Sequence, residues 1–277
     1  ISFGAACTRT RSPATAASTL LRANDMPVAL TAPIHRSQYS SIREPIPVPA
    51  RVRTVRRPGI MVVMAVWFTA DLHFGHENVI RYCDRPFHDV DEMNEQLIER
   101  WNETVAPDDT VWVLGDVAMG QIHDSLALVT RLRGHKILVA GNHDRCWHGH
   151  GAKAHDWIQR YLRAGFERIL HDVAHLTLHD DGADDTGGRI PVLASHFPYH
   201  GDTQPTDRYL DHRPRDRGDW LLHGHVHEQW RQRGRQINVG VDAWDYRPVS
   251  EATLAELIHA GPADRDRLVP TRVTPSP

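Results

Sequence analysis

Residues 62–73, VVMAVWFTADLH, join an apolar run of strand length to two side chains that commonly bind metal ions. The run from Val62 to Thr69 is almost continuously apolar, which is typical of a strand buried on both faces. It is followed by Asp71 and His73. Because open α/β sheets bind ligands at the carboxyl ends of their strands, this stretch predicts an α/β fold with a site at the end of its first strand.

Two further apolar segments end in polar residues of the same kind. Residues 110–114, TVWVL, precede Gly115-Asp116, and residues 136–140, KILVA, precede Gly141-Asn142-His143-Asp144. Apolar residues spaced by four over residues 93–105 predict a helix between the first two strands. Three successive strands therefore bring candidate ligands to one edge of the sheet, which predicts a single shared site.

Beyond Gly165 the pattern predicts mostly strands, at residues 171–179, 190–195, 219–223 and 236–241. A last helix is predicted to begin after Ser250 and to end at Gly261. We expect one domain over residues 61–262 and a flexible tail over residues 263–277.

Residues 1–60 are rich in Arg, Ser and Pro and contain only two acidic residues. This composition predicts a disordered leader, and it also describes an organelle transit peptide. We favour a third interpretation, in which translation begins at Met61 or Met64 and the leader is a mis-assigned start.

Residues 222–227, LHGHVH, place three histidines at alternate positions. In an extended segment His223, His225 and His227 share one face and can converge on one point. Taken alone, the cluster is equally compatible with a solvated loop. Together with Ser195-His196 and the three strand ends, it completes a set of seven candidate ligands. They are Asp71, His73, Asp116, Asn142, His196, His225 and His227.

Seven ligands exceed the four of a tetrahedral zinc site and suit two metal ions that share a bridging carboxylate. The mixture of oxygen and nitrogen ligands favours Mn, Fe or Zn over Mg or Ca, and we expect Mn.

The five blocks of these residues, in this order, resemble the calcineurin-like metallophosphoesterase superfamily. The blocks are Asp71-x-His73, Gly115-Asp116, Gly141-Asn142-His143-Asp144, Ser195-His196 and Gly224-His225-x-His227. Residues 238–248, NVGVDAWDYRP, resemble the closing block of its small bacterial and phage members, and the resemblance implies that Asn238 and Asp242 close the sheet behind the metals. The resemblance covers roughly residues 66–258 and implies a four-layer α/β/β/α sandwich with mixed sheets and a metal site at strand carboxyl ends.

The resemblance also implies how the metals are held. Asp71, His73 and His227 would bind the first ion. Asn142, His196 and His225 would bind the second. Asp116 would bridge the two ions, and a hydroxide between them would attack the phosphate.

Other residues are expected on the substrate side or behind the ligands. By the same resemblance, His143 would protonate or stabilise the leaving oxygen. Asp144 would orient His143 or another ligand, or else cap a turn. His76 and His223 are expected to contact substrate or support ligands. Three arginines, Arg81, Arg85 and Arg145, are candidate phosphate clamps.

The predicted activity is metal-dependent hydrolysis of a small phosphoester such as a nucleotide. No long insertion builds a cap over the site, so we favour a phosphodiester substrate over a phosphomonoester. A non-catalytic scaffold with the same fold is the alternative from another class. A nuclease fits less well, because the net charge of −3 offers no general attraction to nucleic acid.

The three cysteines include no CxxC pair, which argues against a disulfide framework and favours a reducing compartment, the cytoplasm. The longest apolar run, about residues 60–70, is too short to span a bilayer.

Overall fold

The computed structural model describes residues 55–57, 60–62, 64–180 and 188–267. All of them lie in the unit formed by residues 41–277. The strands are β1 (Val55–Arg57), β2 (Ile60–Val62), β3 (Val66–Thr69), β4 (Thr110–Val113), β5 (His135–Val139), β6 (Phe166–Leu170), β7 (Val173–Asp180), β8 (Gly188–Ser195), β9 (Trp220–His223), β10 (Gln232–Gly234), β11 (Gln236–Asn238), β12 (Val249–Ser250) and β13 (Ala263–Arg265). The α-helices are α1 (Glu77–Tyr82), α2 (Val90–Thr104), α3 (Ile122–Ala127), α4 (His155–Arg163) and α5 (Glu251–His259).

The first sheet has five strands in the order β12-β3-β4-β5-β6. Strands β3 to β6 are parallel, and β12 pairs with β3 in the antiparallel direction. All four residues of β4 are buried, as its continuous apolar sequence requires of a central strand. Because β3, β4 and β5 run in the same direction, the residues that follow them meet at one edge of the sheet.

The second sheet has six strands in the order β13-β10-β11-β9-β8-β7. Strand β9 is parallel to both β8 and β11, and the other pairs are antiparallel. The protein is therefore α/β with two mixed sheets, as the sequence predicts at this level.

Two apolar clusters organise the packing. Phe68, Trp112 and Val139 of the first sheet share one buried cluster with Leu176 and Leu222 of the second, so the two sheets pack face to face. The second cluster joins the opposite face of the first sheet to the helices, with buried side chains that include Val113, Leu138, Met93, Trp101 and Tyr161. The first sheet is thus packed between two apolar layers, and the site residues follow the ends of its strands.

Helix α2 shows how local sequence sets these boundaries. The side chain of Asp89 accepts a hydrogen bond from the Glu92 amide at 2.8 Å, and the Glu92 carboxylate accepts one from the His88 amide. This reciprocal capping satisfies amides that a helix start leaves unpaired. None of the described helices is long and apolar enough to cross a bilayer.

Several predicted boundaries differ from the structure. The strand predicted over residues 62–69 begins at Val66, and Ile60–Val62 pair instead with Val55–Arg57 in a short antiparallel sheet. The rest of the predicted leader lies outside the described residues. The predicted tail begins with β13, which pairs with the edge strand β10, and residues 268–277 lie outside the described residues.

Candidate metal centre

The loops that carry the candidate ligands are joined by backbone hydrogen bonds. The Asp71 amide donates to the Gly115 carbonyl at 3.0 Å, and the His73 amide donates to the Asp116 carbonyl at 3.0 Å. From the second sheet, the His225 amide donates to the Asp71 carboxylate at 2.9 Å. A side chain at Gly224 would place its Cβ 2.5 Å from that carboxylate, so only glycine fits there.

Five of the seven candidate ligands have left-handed backbone. Their φ angles are 58° at Asp71, 54° at His73, 55° at Asp116, 72° at His225 and 48° at His227. Non-glycine residues adopt this conformation at a cost of about 1–3 kcal/mol each, and such residues cluster at functional sites. The five loop positions are therefore strained in the way that binding sites often are.

The first group of ligands is Asp71, His73 and His227, whose ligand atoms all lie within 4.8 Å of one another. Asp71 Oδ1 lies 4.0 Å from His73 Nε2. Both atoms are buried and have no hydrogen-bond partner among the described residues. Burying an unpaired carboxylate oxygen and imidazole nitrogen is unfavourable, and a divalent cation between them would satisfy both.

The pKa values of this group are shifted by burial and by the charges of neighbouring side chains. Burial raises the pKa of Asp71 to about 6. Burial and the neighbouring His227 lower the pKa of His73 well below its usual value. Burial also disfavours a charged His227, but Asp71 and Asp242 raise the pKa of His227 well above its ordinary range. A proton on His227 thus supplies positive charge at the place where a metal ion would supply it.

The second group is centred on His196. Its Nδ1 faces the Leu114 carbonyl at 2.9 Å and donates to it, which leaves Nε2 as an acceptor. That Nε2 lies 3.1 Å from Asn142 Oδ1 and 3.4 Å from Asp116 Oδ2. Three acceptor atoms therefore face one another in a buried space.

A fourth acceptor comes from His225. Its Nε2 faces the carboxylate of Asp202 at 3.0 Å, so this nitrogen carries the hydrogen. Its Nδ1 is then free to accept and lies 3.3 Å from His196 Nε2. Four converging acceptors repel one another unless a cation lies among them, so the chemistry of the donor set fits a metal ion.

Asp116 lies between the two groups. Its Oδ2 is 3.7 Å from His73 Nε2 and 3.4 Å from His196 Nε2. Its Oδ1 accepts a hydrogen bond from the His143 amide at 2.8 Å. Burial opposes ionisation of Asp116, but His196 and His143 hold its pKa below the ordinary value. This carboxylate is ionised and within reach of both groups, as a bridging ligand must be.

Over most of its described length, the chain is similar in sequence to two phage proteins. The Gene 66 protein of Mycobacterium phage L5 is 38% identical over 201 residues, which are 70% of this chain and 93% of that protein. The Gene 66 protein of Mycobacterium phage D29 is 39% identical over 196 residues, 67% of this chain and 92% of that protein. The chain belongs to the family of these Gene 66 proteins. A comparison with protein-family models found no match.

A shorter stretch of this Gene 66 family member is similar to a hydrolase. Over 81 residues, 28% of this chain, it is 35% identical to the symmetrical bis(5'-nucleosyl)-tetraphosphatase of Xanthomonas campestris pv. campestris. The match spans 24% of that enzyme. The similarity is a limited indication of a hydrolase relationship.

Further side chains support the ligands from behind. Nδ1 of His227 faces the carboxylate of Asp242 at 3.4 Å and Sγ of Cys83 at 3.3 Å. Arg85 donates to both oxygens of Asp242, at 2.8 and 2.9 Å. Burial opposes ionisation of Asp242, but Arg85 and His227 hold its pKa at about 2.

The prediction that Arg85 clamps a phosphate is wrong. Its side chain is fully buried, and besides Asp242 it donates to the carbonyls of Asp71 and Leu72 at 2.7 and 3.0 Å. These bonds occupy the guanidinium and tie it to the backbone of the first ligand loop. Arg85 therefore supports the ligands from behind.

Asp202 supports the second group in the same way, and no sequence pattern identifies it. Its carboxylate pairs with Arg208 at 2.7 Å and with Arg213 at 3.1 Å, and it also accepts a hydrogen bond from His225. The side chain is fully buried although the segment around it is polar.

Asp144 joins two of the strand-end loops. Its carboxylate accepts from the amides of Asp116, Val117 and Gly141 at 2.9 to 3.0 Å and from the Tyr161 hydroxyl at 3.2 Å. Burial, with the nearby Asp116, raises its pKa to about 7. Its hydrogen bonds in the described chain go to backbone and Tyr161, so it fixes the loops that carry Asp116 and Asn142.

The remaining predicted residues divide between an open side and a buried side. His143 and Arg145 are exposed and line a cavity of about 220 Å³ with Asn142 and His150. His76 is half-buried, with its ring 5.3 Å from that of His73. His223 lies on the buried side. Its Nδ1 donates to the Gly224 carbonyl at 2.7 Å, and its ring packs 4.9 Å from that of Trp230.

Proposed function

We propose that the chain is a phosphoester hydrolase that uses two divalent transition-metal ions and prefers phosphodiesters. The observation that carries the proposal is the convergence of buried acceptors without hydrogen donors, above all Asp71 Oδ1 and His73 Nε2. The partial similarity to a tetraphosphatase supports hydrolysis at phosphorus. A four-layer sandwich and a cytoplasmic location belong to the same proposal.

Seven side chains would hold the two ions, in two groups that would have one carboxylate in common. One group is Asp71, His73 and His227, the other is Asn142, His196 and His225, and Asp116 is common to both. When bound, two divalent ions supply a water nucleophile near neutral pH and neutralise charge on the phosphate. We propose Mn for both positions, because the ligands mix carboxylate, amide and imidazole donors.

The protein's own side chains orient the ligands and set their charge. Asp242 and Asp202 accept from the outer nitrogens of His227 and His225, so the inner nitrogens would be the ones that hold the ions. Asp71 and Asp116 remove two of the four positive charges that two divalent ions bring. The site is left with a net positive charge, which attracts an anionic phosphate.

His143 and Arg145 act on the substrate. Both are exposed on the cavity beside the ligand groups, and the His143 ring lies 5.6 Å from that of His73. His143 holds a proton on its ring and transfers it to the leaving oxygen, a role worth about 10²- to 10⁴-fold in rate. Arg145 binds a phosphate oxygen through its guanidinium.

The test measures hydrolysis of bis(nitrophenyl) phosphate and of nitrophenyl phosphate by the purified, manganese-loaded protein. We expect faster turnover of the diester, because the cavity opens to solvent and leaves room for a second ester group. A strong preference for the monoester would overturn the diester assignment. Two bound ions without hydrolysis of either compound would instead favour a non-catalytic scaffold.

A nucleoside polyphosphate is the second candidate substrate, favoured by the tetraphosphatase similarity alone. It is tested by adding a bis(5'-nucleosyl) tetraphosphate to the same assay. Faster hydrolysis of this compound than of the nitrophenyl diester would make it the better description of the substrate.

A further inference from the structure

A second cluster of ligand-type side chains lies outside the candidate metal centre. His148 belongs to the 3-10 helix His148–Ala154, Asp172 to the turn between β6 and β7, and His212 to the 3-10 helix Leu210–His212. Three loops that are remote in sequence therefore each contribute one side chain. None of these residues belongs to the ligand set already described.

The atoms of this cluster are spaced as ligands of one ion. His148 Nε2 lies 3.3 Å from Asp172 Oδ1, and His212 Nδ1 lies 3.9 Å from the same oxygen. All three atoms lie within 4.8 Å of one another. Around an ion with bonds of about 2.0–2.2 Å, tetrahedral ligands are separated by about 3.3–3.6 Å. Small side-chain movements would close the three onto a zinc ion.

The neighbourhood of the cluster is also arranged for binding. Asp172 has left-handed backbone, with φ 62°. His171 packs edge-on against His148 at 5.3 Å, and Nδ1 of each ring is buried without a hydrogen-bond partner in the described part of the chain. The ring of Trp147 lies 4.8 Å from that of His212 and limits its movement. With three protein ligands, a water molecule would be the fourth ligand of the ion.

An aromatic layer separates this cluster from the candidate centre. The Phe197 ring lies 4.9 Å from His196 and 5.2 Å from His225 on one side. On the other side it lies 6.3 Å from His212 and 5.8 Å from Trp147. The two sites are neighbours that share no ligand.

We propose that His148, Asp172 and His212 form a zinc site that ties these three loops together. Two imidazoles and one carboxylate are a donor set typical of zinc, and half-exposed side chains let the ion enter. The loop that carries His212 also carries Asp202, which holds His225. Zinc at this site therefore fixes the segment that orients one ligand of the candidate centre.

The first test counts zinc ions retained by the full chain after desalting, by elemental analysis. We expect the wild-type protein to retain one more ion than Asp172→Asn and one more than His212→Gln. Asparagine suits the left-handed backbone at position 172, so the first variant removes charge with little strain. His88→Gln is the matched control, because the His88 side chain is 90% exposed elsewhere on the surface, and it should retain the wild-type number. Equal numbers in all four proteins would overturn the proposal.

The second test needs no variant and so does not depend on a substituted chain folding. The wild-type protein is treated with diethyl pyrocarbonate with and without zinc, and modified histidines are located by mass spectrometry. His148 and His212 have side chains 34% and 30% exposed, so both should react without zinc and be protected with it. Reaction unchanged by zinc would overturn the proposal. Both tests measure zinc binding at this cluster and not hydrolysis. Their outcome is therefore the same whether or not the chain hydrolyses phosphoesters.

Discussion

Arg85 and Asp242 form a buried, two-bond ion pair directly behind His227. The two bonds are 2.8 and 2.9 Å long, and both side chains are fully buried. Arg85 donates to carbonyls of the first ligand loop, and Asp242 faces Nδ1 of His227 in the last ligand loop. The pair therefore connects these two loops. The position of His227 therefore depends on a charge pair that is 157 residues apart in sequence.

Asp242→Asn should destabilise the protein strongly. The substitution leaves the Arg85 guanidinium buried without its countercharge, a change that typically lowers the free energy of unfolding by about 3–5 kcal/mol. Urea denaturation in the presence of chelator measures it without any contribution from bound metal. Glu103→Gln is the control, because its pair with Arg247 is exposed and should contribute less than about 1 kcal/mol. Equal losses in the two variants would contradict the importance of the buried pair.

Asp116→Asn should reduce occupancy of both metal positions. Its Oδ2 lies within 3.7 Å of the inner nitrogens of both His73 and His196. Removing this one negative charge should therefore weaken metal binding by both ligand groups. Metal analysis after reconstitution with manganese should find fewer than one ion per chain, against two in the wild type. Asp245→Asn serves as control, since Asp245 is half-exposed and pairs with Arg100 away from the ligands. Loss of a single ion would mean that Asp116 does not bridge.

The convergence of the strand ends could be predicted from the sequence. Apolar runs followed by Asp71, Asp116 and Asn142 identify three strands, and parallel strands bring their carboxyl ends to one edge. The approach of His196 and His225 depends on how two sheets pack, which no local pattern encodes. For these residues the order of motifs across the chain supplied the prediction.

The supporting residues could not be predicted because their partners are distant or their segments are polar. Asp202 lies in a polar stretch and meets His225 only because that stretch folds back over the second sheet. Arg85 follows the first ligand loop, which made a role toward phosphate plausible, but its partner Asp242 lies near the other end of the domain. Short β6 was missed because its adjacent charged residues, Glu167 and Arg168, interrupt the apolar pattern of a strand.

His143→Ala should lower turnover while leaving the metal content unchanged. The His143 ring is exposed on the cavity, and its contact with Asp116 is made by the backbone amide, which the substitution keeps. We expect a loss of about 10²- to 10⁴-fold in kcat, as for removal of a general acid. Metal analysis and steady-state kinetics should be made on the same sample, with His175→Ala, exposed on β7, as control. Loss of a metal ion from His143→Ala would show that His143 is a ligand.

Asp202→Asn should weaken one metal position and spare the other. The carboxylate accepts from His225 Nε2 and receives Arg208 and Arg213, so its loss frees the His225 ring and removes the charge that favours its binding tautomer. Outer partners of this kind contribute about 10- to 100-fold to metal affinity. Manganese titration should therefore resolve one site weakened by that factor and one unchanged. Asp207→Asn is the matched control, because Asp207 lies in the same segment and reaches Arg213 only at 3.8 Å. Equal weakening of both sites would place Asp202 in a general structural role, and no weakening would show that the His225 ring is held by its aromatic neighbours.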